Sequence, residues 1–353
     1  MNTANRRSFM PRALIPAYSD TGQAGPPAIL TERLYKAYGD GARALVGLSL
    51  CVGQGEFFGL LGPQGAGKTT MTRISAALLQ PDGGRVRVLG FDTRTDARQI
   101  RERIGYMGQH AGVDRGLSGH DNVLLMARMH GLRGRDAAQR TEEILRKLDL
   151  TALSRQQAGT YTPQEVKRVA LASSLVHHPR LVLLDDPTCG LAAHERTLIW
   201  GYLRAIQRDE GAAVFLATQC LEEVEWLCDR VAIIDRGKLI AAGTPDELKA
   251  QATGALVAVQ LIDGRNSGEA ALLLEHVAGV RAVRLQHDRI DLEVTSAQTV
   301  PSLLRVLEEH EIPVRDITLS RSSLEEVFFH HTGRKIHDSR EVPSGGAKVS
   351  GRR

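Results

Sequence analysis

"FFGLLGPQGAGKTTMTRISAALL", residues 57–79, decides how the chain folds. Its first six residues, 57–62, read as a buried strand, and "MTRISAALL" reads as a helix. Between them, "GPQGAGKTT", 62–70, fits G-x-x-x-x-G-K-[ST] through Gly62, Gly67, Lys68 and Thr69. Glycines let a backbone curl so that several N–H groups point inward at a phosphate. A lysine in this position neutralises the outer phosphates and the following threonine ligates Mg²⁺. The helix N-terminus adds partial positive charge. The loop Gly62, Pro63, Gln64, Gly65, Ala66, Gly67, Lys68, Thr69 and Thr70 is therefore the expected nucleotide phosphate site.

Its complement lies downstream. "LVLLDD", 181–186, is an apolar run that ends in two carboxylates. Such a strand delivers a metal ligand and a base to a phosphate site. Asp185 is expected beside the Mg²⁺ and Asp186 towards the attacking water.

The rest of the chain arranges itself around these two strands. Residues 1–27 are rich in Pro, Gly, Ser and Arg and read as a disordered lead-in. From Ala28 to about Leu248 strands alternate with helices, which argues for an α/β layer with a largely parallel sheet. Within it, about 113–180 is mostly helical: "DNVLLMARMHGL" and "QRTEEILRKLDL" both space apolar residues near 3.6. "AGTPDELKAQATG" closes this first domain, 28–253. A second, 254–333, reads β-α-β-β-α-β, the ferredoxin-like order. A short helix from Ser323 to His330 follows it. A basic tail, 334–353, reads as disordered.

Composition excludes several classes of function. With 353 residues, 42% hydrophobic and 24% charged, the chain has ample core for two domains. A net charge of +4 and only 4% aromatic residues do not suit a nucleic-acid binder. Cys51, Cys189, Cys220 and Cys228 form no C-x-x-C pair, and no Cys/His cluster has zinc spacing. They read as reduced thiols of a cytosolic protein. No apolar stretch approaches the roughly 20 residues of a spanning helix. The N-terminus lacks the sustained apolar core of a signal peptide. A membrane role must come through a partner. The pairs His177–His178 and His330–His331 suit one metal poorly, because helix neighbours point about 100° apart. Basic residues around Arg133, Arg135 and Arg140 read as a solvated face.

The phosphate loop, Gln109 in "IGYMGQH", "LLDDPTCGL" and "LEEVEWLCDRVAIIDRGKLIAAGTPDEL" together resemble the ATP-binding subunit of an ABC transporter. The C-terminal domain and its ending "SSLEEVFFHHTGR" resemble the daunorubicin-resistance type of exporter ATPase. The resemblance covers about 28–334. It implies a P-loop NTPase cassette of the ABC type with a helical insertion, followed by a ferredoxin-like α+β domain. It implies that Tyr38, in "YKAYGD", stacks on adenine. It implies that Gln109 joins Thr69 and Asp185 at Mg²⁺ and links to the membrane partner.

Four departures from the family pattern stand out. Where the family reads roughly Leu/Tyr-Ser-Gly-Gly-Gln/Met, this chain has Tyr161-Thr162-Pro163-Gln164-Glu165. Pro163 has no N–H to offer a phosphate. Thr162 and Glu165 form a capping box with Pro at the first helical position. Asp186 stands where the family has its catalytic Glu and is shorter by roughly 1.3 Å. Gln219, in "ATQCLEE", stands where the family has a switch His and carries no titratable proton. Ala192 replaces the Asp of the dimer-contact loop.

The expectation is a cytosolic subunit, peripheral on the inner face of the membrane through a separate permease. It binds Mg-ATP and works as a homo- or heterodimer, with impaired hydrolysis, in drug or antibiotic export. The alternative is a soluble ABC-type regulator acting on a non-membrane partner. A P-loop kinase is excluded by the lack of a lid or phosphoacceptor site.

Overall fold

The computed structural model describes residues 25–332 except 40, 110, 111, 252–254, 263, 265, 321 and 322, together with residue 336. The tails read as disordered, 1–27 and 334–353, lie outside the described residues apart from 25–27 and 336.

The first unit begins with strands β1 (Ile29–Ala37), β2 (Arg43–Val52) and β3 (Phe57–Leu61), then helix α1 (Lys68–Ser75). Next come β4 (Gly83–Val88), β5 (Phe91–Asp92), α2 (Ala97–Arg101) and β6 (Ile104–Met107). Helices α3 (Gly119–Met129), α4 (Gly134–Lys147) and α5 (Pro163–Leu175) form the mostly helical stretch. Then follow β7 (Leu181–Asp185), α6 (Ala193–Glu210), β8 (Ala213–Thr218), α7 (Leu221–Leu227), β9 (Arg230–Asp235) and β10 (Lys238–Gly243).

Two sheets result. β2-β1-β4-β5 is antiparallel, and β1 alternates buried and exposed residues along much of its length. The other runs β10-β9-β3-β8-β7-β6 and is parallel except for the edge strand β10. Every residue of β3, β7 and β8 is buried. Strands covered on both faces read as continuous apolar runs, which is why "FFGLL" and "LVLL" were legible. Phe58 and Phe215 stack across this sheet, ring centroids 6.0 Å apart. Parallel register sets Leu61 beside Thr218 and Asp185 beside Ala217. Three strands therefore end together, and the loops after them share one edge of the sheet, where open α/β sheets bind ligands.

In the helical stretch, α4 buries Ala137, Thr141, Ile144 and Leu145 on one stripe. Arg140 lies on that stripe and not on the solvated face expected for it. It is 5% exposed. Its guanidinium pairs with Glu143 at 3.2 Å and Glu210 at 3.6 Å and donates to the Val176 carbonyl at 3.2 Å. Its helical register, three residues past Ala137 and four before Ile144, carries it inward, and the two carboxylates compensate its charge there.

Helix α5 begins with the reciprocal cap read from "YTPQE". The Glu165 N–H donates to the Thr162 hydroxyl at 3.3 Å, and the Thr162 N–H donates to the Glu165 carboxylate at 2.8 Å. Pro163 sits in the first turn.

The second compact unit spans Pro245–Lys335. It contains α8 (Pro245–Gln251), β11 (Ala255–Leu261), α9 (Ser267–Glu275), β12 (Val280–Gln286) and β13 (Arg289–Val294). α10 (Val300–Glu309), β14 (Val314–Ser320) and α11 (Leu324–Thr332) complete it. The sequence reading closed the first domain at 253; the units divide after Thr244, because α8 packs on α11. The sheet order β12-β13-β11-β14, antiparallel throughout, is the ferredoxin-like arrangement. Val257, Val259, Ile290 and Leu292 meet Ala270, Leu274, Leu303 and Leu307 of α9 and α10 in its core.

Thr162→Ala should lower the urea midpoint of the nucleotide-free chain, with a loss of about 0.5–2 kcal/mol. Glu165→Gln, which preserves the reciprocal bond, should cost less. Equal stability of the Thr162→Ala chain would show that the cap does not stabilise α5.

Candidate functional site

After Leu61 the backbone must turn where side chains do not fit. A Cβ on Gly62 would lie 2.3 Å from the Ile234 carbonyl oxygen, and one on Gly67 2.3 Å from that of Ala44. Gly67 also has a φ of +108°, which L side chains rarely adopt. The loop folds on itself through Ala66 N–H to the Pro63 carbonyl at 3.2 Å, while Gln64 and Gly65 face solvent. Lys68, in the first turn of α1, is 6% exposed. Its ammonium donates to the Gly62 carbonyl at 2.7 Å and the Pro63 carbonyl at 2.9 Å, so its position is fixed by its own loop. Burial lowers its pKa, while the charges of Asp186 and Asp185 oppose that shift.

Asp185 ends β7 and is fully buried, at 0% exposure. Neither of its oxygens has a hydrogen-bond partner of ordinary geometry. Burial pushes its carboxyl up; the Thr69 side chain pulls it down, Asp186 pushes up and Lys68 pulls down. A buried carboxylate left this way is costly unless a cation meets it. Hydroxyl, carboxylate and amide oxygens from Thr69, Asp185 and Gln109 are the donor types a hard divalent ion takes. The residues fit Mg²⁺.

Asp186 follows immediately, 7% exposed, with a φ of +48°. Its N–H donates to the Ala217 carbonyl at 2.8 Å, and its carboxylate accepts from the Gln109 side chain at 3.3 Å. Gln109 is thus drawn to Asp186. Tyr38, 42% exposed, shares a hydrogen bond with the Thr70 hydroxyl at 3.2 Å, which sets it beside the phosphate loop. Gln219 lies half-buried in the loop after β8. Ala192 caps α6 with no side-chain oxygen; its N–H donates to the Glu195 carboxylate at 3.1 Å. The structure therefore gathers the phosphate loop, Asp185, Asp186, Gln109 and Tyr38 through direct or electrostatic contacts.

Two features were not foreseen. The Gln164 side chain donates to the Gly190 carbonyl at 3.3 Å, and the Lys167 ammonium donates to that of Cys189. The start of α5 is thereby tied to the loop after β7. The other is Glu223, 1% exposed, which accepts from the hydroxyls of Thr188 and Thr218. An acid in the first turn of a helix ordinarily reads as a surface residue favoured by the helix dipole. The partners of Glu223 are Thr188, in the loop after β7, and Thr218, the last residue of β8. The histidine pair separates: His177 stacks on His130, ring centroids 3.6 Å apart, and His178 meets Glu210 at 2.8 Å. All four cysteines are free.

Comparison with known proteins agrees with this architecture. The ABC transporter family matches residues 45–189, and the C-terminal domain of DrrA1-3-like ATP-binding proteins matches residues 243–332. The chain is 40% identical over 309 residues to the daunorubicin resistance ATP-binding protein DrrA3 of Streptomyces coeruleorubidus, covering 87% of this chain and 96% of that one. It is 30% identical over 311 residues to the linearmycin resistance ATP-binding protein LnrL of Bacillus subtilis, covering 87% and 99%. Among solved structures, cbiO1 from Clostridium perfringens, part of the ABC transporter complex cbiONQ, matches with a TM-score of 0.58. That match has 27% identity and covers 64% of this chain and 92% of cbiO1.

The raised Asp185 carboxyl has a consequence for stability. In the folded chain it holds its proton more tightly than in the unfolded chain, so its ionisation costs stability above the folded pKa. That cost disappears below the ordinary value of 3.8. Nucleotide-free Asp185→Asn should therefore melt higher than the parent at pH 7, with the difference shrinking as pH falls toward 3.8. Calorimetry across that range checks it; a lower-melting variant at pH 7 would contradict the uncompensated charge.

Proposed function

The chain belongs to the ATP-binding proteins of ABC transporters, in the branch with a DrrA-type C-terminal domain, and from that premise we propose that it is the nucleotide-binding subunit of a drug or antibiotic exporter with slowed hydrolysis. The observation that carries this reading is the unpartnered Asp185 carboxylate beside a phosphate loop whose lysine is already fixed in place.

In this reading the loop amides of 62–70 and Lys68 bind the phosphates of ATP. Thr69, Asp185 and Gln109 hold Mg²⁺, which supplies positive charge to the phosphate oxygens. Tyr38, anchored at Thr70, presents its ring to the base.

The residues that follow binding are altered. Asp186 orients water with one methylene less than the family's Glu, and misplacement of about 1 Å can cost about 10²-fold. Gln219 donates a hydrogen bond but relays no proton. The signature helix satisfies its own first donors and carries Glu165 where a partner's phosphate is expected. Slow turnover follows, since a general base typically contributes about 10²–10⁴-fold.

Relatives named for resistance to daunorubicin and linearmycin support an exported antibiotic as cargo. No helix among the described residues is long and apolar enough to cross a membrane, so a separate permease supplies the path and holds this subunit at the inner face of the membrane. The chain then pairs with a second ATP-binding subunit. A heteromeric or regulatory role suits it best, because a homodimer combines two weakened sites. The non-membrane regulator finds less support: the alignment to DrrA3 spans 87% of the chain, both units included.

Mg-ATP should raise the melting temperature, with stabilisation of about 2.7 kcal/mol at a hundredfold excess over Kd. Lys68→Ala should abolish the shift. An unshifted parent chain would refute the nucleotide site. Separately, Asp186→Glu with Gln219→His should raise ATP turnover more than the two single changes combined, because both groups act on one water and one phosphate. Simple additivity in a phosphate-release assay would mean that they act independently.

A further inference from the structure

Two loops carry the altered hydrolytic groups: the one after β7, with Asp186, and the one after β8, with Gln219. A single buried side chain joins them. Glu223 reaches up from the first turn of α7, 1% exposed. One carboxylate oxygen accepts from the hydroxyl of Thr188, two residues past Asp186. The other accepts from the hydroxyl of Thr218, the residue before Gln219. The Thr218 oxygen in turn accepts from the Cys220 N–H at 2.9 Å, so its own proton is committed to Glu223. The backbone adds a parallel tie, Asp186 N–H to the Ala217 carbonyl at 2.8 Å.

Burying a carboxylate is costly unless hydrogen bonds compensate. Here burial raises the Glu223 carboxyl, the Thr188 and Thr218 hydroxyls oppose the shift, and the nearby Asp186 charge adds to it. An apolar residue here would leave the buried Thr188 and Thr218 hydroxyls without this acceptor. The polar bridge therefore does something packing alone does not: it fixes the separation of the two loops through directional bonds.

We propose that Glu223 is a positioning residue of the ATP site, tying the Asp186 loop to the Gln219 loop through Thr188 and Thr218 so that both present their side chains to one phosphate as a unit. This rests on the ATP-site reading above. Glu223 touches no reacting atom in this scheme. It acts through its two threonines, so its loss lowers turnover without weakening nucleotide binding, which depends on Lys68, Thr69 and Asp185.

The test uses the full chain with Glu223→Ala, Glu223→Gln or Thr188→Val, each also built on Asp186→Glu/Gln219→His. Thr188→Val keeps shape and removes one hydroxyl, so it reports even where Glu223→Ala folds poorly. The Mg-ATP melting shift is measured first. Its absence from the unsubstituted chain refutes the nucleotide site itself, a failure distinct from this one. With the shift retained, Glu223→Ala and Thr188→Val should cut kcat about 10- to 100-fold in the Asp186→Glu/Gln219→His background, with KM little changed. Glu223→Gln keeps one acceptor and gains a donor, so it should retain most of the turnover. Hydrogen exchange should rise together in the segments 186–191 and 218–221 of Glu223→Ala and Thr188→Val, and not in 62–71. Unchanged kcat, a KM that rises as kcat falls, or exchange that rises in only one of the two loops overturns the proposal. If that background shows no turnover, the exchange pattern alone decides.

Discussion

A carboxylate with no partner sits at the end of a fully buried strand, and the first unit is organised around it. Asp185 is carried inward by "LVLL", whose four apolar side chains cannot be exposed without losing the central sheet. Sheet register then leaves the acid beside Ala217 of β8, with the phosphate loop leaving the strand on the other side of β8. Burial raises the Asp185 carboxyl, and Thr69 and Lys68 oppose that shift.

Around that centre several polar groups bond within the chain itself. Glu165 and Thr162 cap their own helix. Gln164 and Lys167 hold carbonyls of the loop after β7 in the same chain. Asp186 takes the Gln109 side chain. The Ala192 N–H meets the Glu195 carboxylate where α6 begins.

Much of this was legible in the sequence, for a definite physical reason. Strands buried on both faces must be continuously apolar, so β3 and β7 announced themselves, and a phosphate loop needs glycines at fixed spacing. The capping box is local in sequence: Thr162 and Glu165 are three residues apart and find each other whatever the rest of the chain does. The β-α-β-β-α-β order of the second unit was equally readable, because each element carries its own periodicity.

Tertiary structure alone decided the features that depend on register between distant strands. Arg140 looked like a solvated base and lies buried between Glu143 and Glu210, the second of them contributed by α6. Glu223, in the first turn of α7, bridges two threonines, one of them 35 residues away. Gln109 reaches Asp186 from 77 residues away. Composition and periodicity specify which face of an element is apolar. They do not say which polar groups the packing brings within hydrogen-bond reach, because that distance is set by how strands align side by side and not by anything along one strand.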